Sequence, residues 1–294
     1  MPSVSTPPYL DLPAGARPLS LQTSRGELAG LRIEAAAPVQ GTAVLVPGWT
    51  GSKEDFIAVL APLARRGWSV VAYDQRGQFE SPGPEDESAY SLASLARDLL
   101  EVVEPIGPAH VVGHSFGGLV AREAALTSGG QGFASLTLLC SGPGPLPAGH
   151  HDGLGALHAA LPHVPLETIW TVKEAADREG GWRPPTDEVA AFMHRRFVAN
   201  NAYALRAKTA LLLDTPDRTD ELAALAAGGF PVGVVYGPDD DAWPTSAQDR
   251  VAVAVGTTPC VIDGAGHSPA AERPERTAEV LDALWRGFAA GHQG

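Results

Sequence analysis

Gly113-His114-Ser115-Phe116-Gly117 follows the apolar run Ala109 to Val112 and precedes a segment with helical spacing. A serine between glycines at such a junction describes a nucleophile elbow. The strand-to-helix turn is so tight that the serine takes a strained backbone conformation, and glycines on either side remove the β-carbons that would collide there. The strain lifts the hydroxyl out of the sheet and sets it at a helix N-terminus, where the dipole and unsatisfied N–H groups favour an oxyanion. One short stretch therefore predicts both a strand-helix alternation and a serine nucleophile.

Working outward from the elbow, β-rich runs recur at Thr42 to Val46, Ser69 to Tyr73, Leu136 to Cys140, Val232 to Tyr236 and Pro259 to Ile262. Between them, Phe56 to Arg66, Leu92 to Glu104, Leu119 to Leu126, Ser246 to Val255 and Arg273 to Phe288 carry apolar residues at helical spacing. This alternation predicts an α/β fold, a mostly parallel sheet with right-handed crossovers and helices on both faces. Leu21 to Thr23 and Glu27 to Glu34, joined through Ser24-Arg25-Gly26, read as an antiparallel hairpin at the sheet edge. Active sites of open α/β sheets lie at the carboxyl ends of the strands, which is where Ser115 falls.

The alternation breaks between residues 141 and 228, where proline-rich stretches and helical pieces replace a single crossover helix. An insertion after a strand end sits over the active site, so the expected organisation is a core of residues 1–140 and 229–294 with a helical cap over 141–228. Leu154 to Leu161, Leu166 to Arg178, Thr186 to Asn200 and Tyr203 to Asp214 are its expected helices.

At 294 residues the chain can bury a core without staples. Its 34 acidic against 21 basic residues leave a net charge of −13, which repels nucleic acid phosphates and anionic lipid. Neither nucleic acid nor membrane is expected as a partner. Cys140 and Cys260 lie in apolar runs and suggest no disulfide framework. Residues 1–15 have neither the basic start nor the apolar stretch of a signal peptide, and no segment reaches the apolar length of a membrane span. A cytoplasmic protein with a flexible first dozen or so residues is expected. No Gly-x-Gly-x-x-Gly follows the first strand, so no nicotinamide or flavin cofactor is expected. His150-His151-Asp152, with His158 and His163, match no zinc spacing, and no metal site is expected.

A serine hydroxyl needs a base, and the base needs a partner to hold its tautomer. His267 stands in Asp263-Gly264-Ala265-Gly266-His267-Ser268-Pro269, between the last strand and the last helix, where a glycine turn can carry an imidazole to the sheet edge. The acid belongs to the loop after the preceding strand, which offers Asp239, Asp240 and Asp241. Three consecutive carboxylates cannot all face one imidazole, so at least two are solvated.

The order serine, aspartate, histidine resembles that of the α/β-hydrolase superfamily, its serine-nucleophile esterase and haloperoxidase-like branch. Leu45-Val-Pro-Gly-Trp-Thr-Gly-Ser-Lys-Glu-Asp-Phe56 is similar to that family's loop after the third strand, and Asp74-Gln-Arg-Gly-Gln-Phe-Glu-Ser81 to its Asp-x-Arg-Gly-x-Gly-x-Ser segment. The likeness covers about residues 20–140 and 230–290 and leaves the cap uncovered. It implies a Gly-x-x-Asp-x-x-x-Pro spacing over Gly237 and Pro244, which selects Asp240, with Asp239 and Asp241 as runners-up. It also implies an oxyanion hole from the backbone N–H groups of Trp49 and Phe116. Two positions depart from the pattern. Pro47 stands where most relatives have histidine, and Phe79 replaces a glycine, which predicts a differently shaped loop near the cleft.

Trp49 and Phe79, with Trp170, Trp182, Phe192, Met193 and Phe197 of the cap, are the candidates to line a substrate pocket. Arg195, Arg196 and Arg206 lie on or near the same helices, and any that faces the cleft would point to a carboxylate-bearing substrate. The resemblance implies a cofactor-independent serine hydrolase of carboxylic esters, thioesters or lactones, working through an acyl-enzyme on Ser115. A small-molecule ester or acyl substrate is its expected partner. A lyase or cyclase on the same residues and a ligand-binding receptor on the same scaffold are the alternatives.

Overall fold

Valines, leucines and aromatics at alternating positions of short runs drive the sheet, and the computed structural model, which describes residues 3–291, shows which face each side chain takes. The strands are β1 (Arg17–Thr23), β2 (Gly26–Ile33), β3 (Gly41–Val46), β4 (Trp68–Tyr73), β5 (Ala109–His114), β6 (Phe133–Leu139), β7 (Val232–Tyr236) and β8 (Cys260–Val261). They form one sheet in the order β1-β2-β4-β3-β5-β6-β7-β8. β2 pairs antiparallel with both β1 and β4, and every other pairing is parallel.

The helices are α1 (Ile57–Arg65), α2 (Leu92–Val103), α3 (Phe116–Ser128), α4 (His151–Ala160), α5 (Leu166–Glu179), α6 (Asp187–Val198), α7 (Ala202–Leu213), α8 (Thr219–Ala227), α9 (Thr245–Ala254), α10 (Pro269–Glu272) and α11 (Pro274–Gly291). Both faces of the sheet are covered, as the strand alternation requires. Val44, Val71 and Val111 belong to the core shared with α2 and α3, whereas their neighbours Leu45, Val70 and Val112 belong to the core shared with α1 and α11. Trp68 and Trp285 meet edge-on in the second core, 5.0 Å apart.

Every strand and helix expected from the sequence forms, with ends shifted by a few residues. α3 starts at Phe116 rather than Leu119, because the elbow feeds the helix directly. α8 was not expected. It packs against α3 and α9.

Polar side chains fix the starts of α6 and α7. Asn201 Oδ1 accepts from the N–H groups of Tyr203 (2.9 Å) and Ala204 (3.0 Å), and Thr186 Oγ1 accepts from Val189 N (3.2 Å). α4 packs on α7 and α5 on α6. α7 is tied to the loop after β4, since Lys208 Nζ donates to the Arg76 carbonyl (2.8 Å) and Asn201 N to the Gly77 carbonyl (2.9 Å). No described helix is long and apolar enough to cross a membrane.

The expectation of a flexible start is corrected for the described residues. Ser5 and Pro7 are buried, and Val4 packs against the core. Proline lowers the entropy lost on ordering, and the hydroxyls of Ser3, Ser5 and Thr6 all find partners on the body of the protein. Met1 and Pro2 lie outside the described residues.

Candidate active site

Ser115 caps α3 with φ 55° and ψ −123°, a left-handed region that a side chain occupies only under strain. The flanking glycines are required sterically. A β-carbon on Gly113 would lie 2.5 Å from the Gly117 carbonyl oxygen, and one on Gly117 would lie 2.4 Å from that of Val46. The elbow thus presses against β3, and the Ser115 hydroxyl meets residues of two other loops.

His267 Nε2 lies 2.9 Å from Ser115 Oγ, and His267 Nδ1 lies 2.7 Å from Asp240 Oδ1. With the Nδ1 proton donated to the carboxylate, Nε2 is free to accept from the serine hydroxyl. The Asp240 carboxylate is fully buried. It also accepts from Ala242 N (2.9 Å) and Gln248 Nε2 (2.8 Å). Burial pushes this carboxyl up, but the hydrogen bond and charge of His267, with the Ala242 and Gln248 donors, hold it below the usual carboxylate value. Of its neighbours, Asp239 is exposed, and Asp241 is exposed and holds Ser3.

His114, the variable residue of the elbow, was not singled out by sequence. Its Nε2 donates to the His267 carbonyl (2.7 Å), and its ring lies 5.0 Å from the His267 ring. Burial, with the nearby His267 as a smaller contribution, lowers its pKa to about 3, so it is neutral. It is a positioning residue, fixing the backbone that carries His267. The signal was its place beside the serine, but only the folded loop shows what it reaches.

The loop after β3 runs alongside the serine. A β-carbon on Gly48 would touch Ser115 Cβ at 3.1 Å and lie 3.5 Å from its Oγ. This approach sets the loop after β3 directly against the serine that opens α3. The loop is pinned from below. Gln78 Nε2 donates to the carbonyls of Gly48 (2.9 Å) and Gly51 (2.8 Å), and Gln75 Nε2 to that of Pro47 (2.7 Å). Lys208 Nζ of α7 donates to Gln78 Oε1 (2.6 Å), and burial holds this lysine well below its usual pKa. The Trp49 indole donates to Thr209 of α7 (3.1 Å).

The alpha/beta hydrolase family model matches residues 43–280, most of the chain and all of this constellation. The chain belongs to the alpha/beta hydrolase family. It is 32% identical over 230 residues to a Variovorax paradoxus protein carrying the name carbamate hydrolase RutD, covering 76% of this chain and 83% of that one. It is 29% identical over 260 residues to the pimeloyl-(acyl-carrier protein) methyl ester esterase of Methylococcus capsulatus, covering 81% and 92%. Among solved structures, a thermophilic esterase from Thermogutta terrifontis superposes with a TM-score of 0.73 at 21% identity, over 92% of this chain and 99% of that one.

In this alpha/beta hydrolase the cavity over Ser115 is bordered by Gly48, Trp49, Asp55, Leu146, Leu212 and the segment Ser3 to Ser5, with His114 and His267. Of the expected pocket residues, Trp49 alone borders it. Phe79 and Phe192 meet edge to face at 5.5 Å, and Trp170 packs on Phe197 at 5.5 Å. Trp182 Nε1 donates to Thr6 (2.9 Å), and Met193 Sδ accepts from Arg196 (3.2 Å). These side chains hold α5 and α6 together and against the core. Large aromatics gain most where they are enclosed on all sides, and Leu146 and Leu212 supply the apolar wall instead.

Arg196 was weighed from sequence without a known direction. It points inward, nearly inaccessible, with Nη1 on Asp55 and Nη2 donating to the Ser5 carbonyl (2.8 Å). Burial pushes the Asp55 carboxyl up to about 6 against the pull of Arg196.

Proposed function

We propose that this protein is a cofactor-independent serine hydrolase of carboxylic esters. The observation that carries the reading is the continuous hydrogen-bonded chain from Asp240 through His267 to Ser115 at a strained elbow. Ser115 Oγ attacks the ester carbonyl carbon while His267 Nε2 takes its proton. The carbonyl oxygen gains the electron pair and is held by the N–H groups of Phe116 and Trp49, aided by the positive end of α3. Collapse of the tetrahedral intermediate breaks the bond to the alcohol, and His267 returns the proton to the leaving oxygen. Water, deprotonated by His267, then releases the acid from Ser115. Asp240 holds the tautomer and stabilises the imidazolium. Residues 141–228 act as the cap that shapes the acyl site.

The methyl ester esterase of Methylococcus supports esters as the substrate class, and the Variovorax relative's name adds carbamates to the compounds worth assaying. The test is intact-protein mass after fluorophosphonate treatment, with turnover of an ester panel, for the native chain and Ser115→Ala. A single adduct and ester turnover, both abolished in the variant by roughly a millionfold in rate, are expected. An adduct elsewhere, or turnover surviving in Ser115→Ala, refutes the mechanism.

A further inference from the structure

Ser3, Val4 and Ser5 form one wall of the Ser115 cavity, and Thr6 continues the segment. The free volume left beside the nucleophile is about 20 Å³, room for roughly one water and far too little for an ester. Four attachments hold the segment. The Ser3 N–H and hydroxyl both donate to Asp241 (2.9 Å each). Ser5 Oγ bonds Ser268 Oγ at 2.7 Å, next to His267. Thr6 Oγ1 accepts from Trp182. The Ser5 carbonyl accepts from Arg196 Nη2 at 2.8 Å.

Arg196 is built to keep this acceptor position. Its other arm is fixed by Asp55, its guanidinium stacks 5.4 Å over the Phe192 ring, and almost none of it reaches solvent. The paired Asp55 balances its charge and Met193 Sδ takes one contact from Nη2 (3.2 Å), so the ligand that suits the N–H now given to Ser5 is a neutral carbonyl oxygen, as the Ser5 peptide group is, rather than a carboxylate. We propose that Ser3 to Thr6 occupies the substrate's place, and that Arg196 forms a subsite for a second, neutral carbonyl carried by the acyl chain of the substrate. This inference rests on the hydrolase reading above. When the segment swings out, the apolar wall of Leu146 and Leu212 and the Nη2 donor are both handed to the substrate. While it is in, only a fraction of molecules are competent and apparent affinity falls by that fraction.

The test compares p-nitrophenyl esters of N-acetylglycine, N-acetyl-β-alanine and N-acetyl-γ-aminobutyrate with straight-chain alkanoyl esters of matched length, using the full-length protein. In the native chain at least one amide-bearing ester should exceed its match in kcat/KM by about tenfold, the usual worth of one hydrogen bond from a charged donor. Arg196→Lys keeps a cation against Asp55 but cannot also reach the second acceptor, and should abolish that ratio. Val4→Lys places a charge in the cavity wall and in the core contact of the segment. It should raise kcat/KM several-fold for both members of each pair with the ratio kept. Equal ratios in the native chain and Arg196→Lys, or Val4→Lys leaving rates unchanged or lower, overturn the proposal. Failure of the hydrolase reading is separately visible as no turnover of any ester. The subsite is then read from calorimetric binding of N-acetyl-β-alaninamide against hexanamide, where a preference lost in Arg196→Lys upholds it and equal affinities overturn it.

Discussion

His114 offers a prediction whose size follows from the structure. The ring is buried between the elbow and the His267 loop, and burial lowers its pKa from the ordinary 6.5 to about 3. The unfolded chain takes up a proton as pH falls through 6.5, whereas the folded chain does not until about pH 3. Stability from this side chain is therefore fully present above pH 6.5 and is lost as pH falls towards the folded value. Between roughly pH 7.5 and roughly pH 5 about 1.5 pKa units of the gap open, each worth about 1.4 kcal/mol, so about 2 kcal/mol is lost through one ring. That is a sizeable share of a typical folding free energy of about 5–15 kcal/mol. His114→Gln keeps an N–H donor for the His267 carbonyl but removes the titration. Urea unfolding of both proteins at both pH values isolates the effect, because every other titrating group, including buried His110, is common to both. The native chain should lose about 2 kcal/mol more than the variant over that interval. Parallel losses would refute the reasoning, since they would require His114 to be protonated in the folded state.

Asp240→Asn should lower ester turnover by on the order of 10⁴-fold with the fold intact, because Gln248 Oε1, which has no partner among the described residues, can turn to receive the new amide. Asp239→Asn and Asp241→Asn should change turnover little, and steady-state kinetics on the three variants tests the assignment. Gln78→Met removes two of the three side-chain donations that pin the loop after β3, leaving that of Gln75, and deprives Lys208 of its side-chain acceptor. It should reduce kcat at least tenfold with KM little changed, and a change confined to KM would show that the loop does not depend on it. Gly117→Ala forces a β-carbon against the Val46 and Pro47 carbonyls at 2.4 and 2.5 Å, neither of which can move without β3. A stability loss of about 3 kcal/mol or more by chemical denaturation is expected, and a near-neutral result would mean that the elbow relaxes.

Legibility followed the range of the interactions. Strands β3 to β7 and the elbow were readable because residue alternation, glycine placement and helix spacing act over a few positions. α8 escaped notice because Ala-rich sequence inside a long irregular stretch carries little period of its own. The acid was narrowed to three aspartates by local reading and to Asp240 by family spacing, and the fold turns that carboxylate alone to His267.

By itself the sequence determined an α/β sheet with a serine at a strained turn and a histidine on the last loop, because short-range sterics and hydrophobic periodicity leave few other arrangements. Tertiary structure alone decided that His114 carries the His267 backbone, that the aromatics of α5 and α6 pack on one another and on the core, and that the Ser5 carbonyl sits on Arg196. The His114–His267 and Ser5–Arg196 contacts join residues 153 and 191 positions apart, and no local preference of either partner encodes them. They arise only when the sheet brings its loop ends together and the connecting segments pack against them.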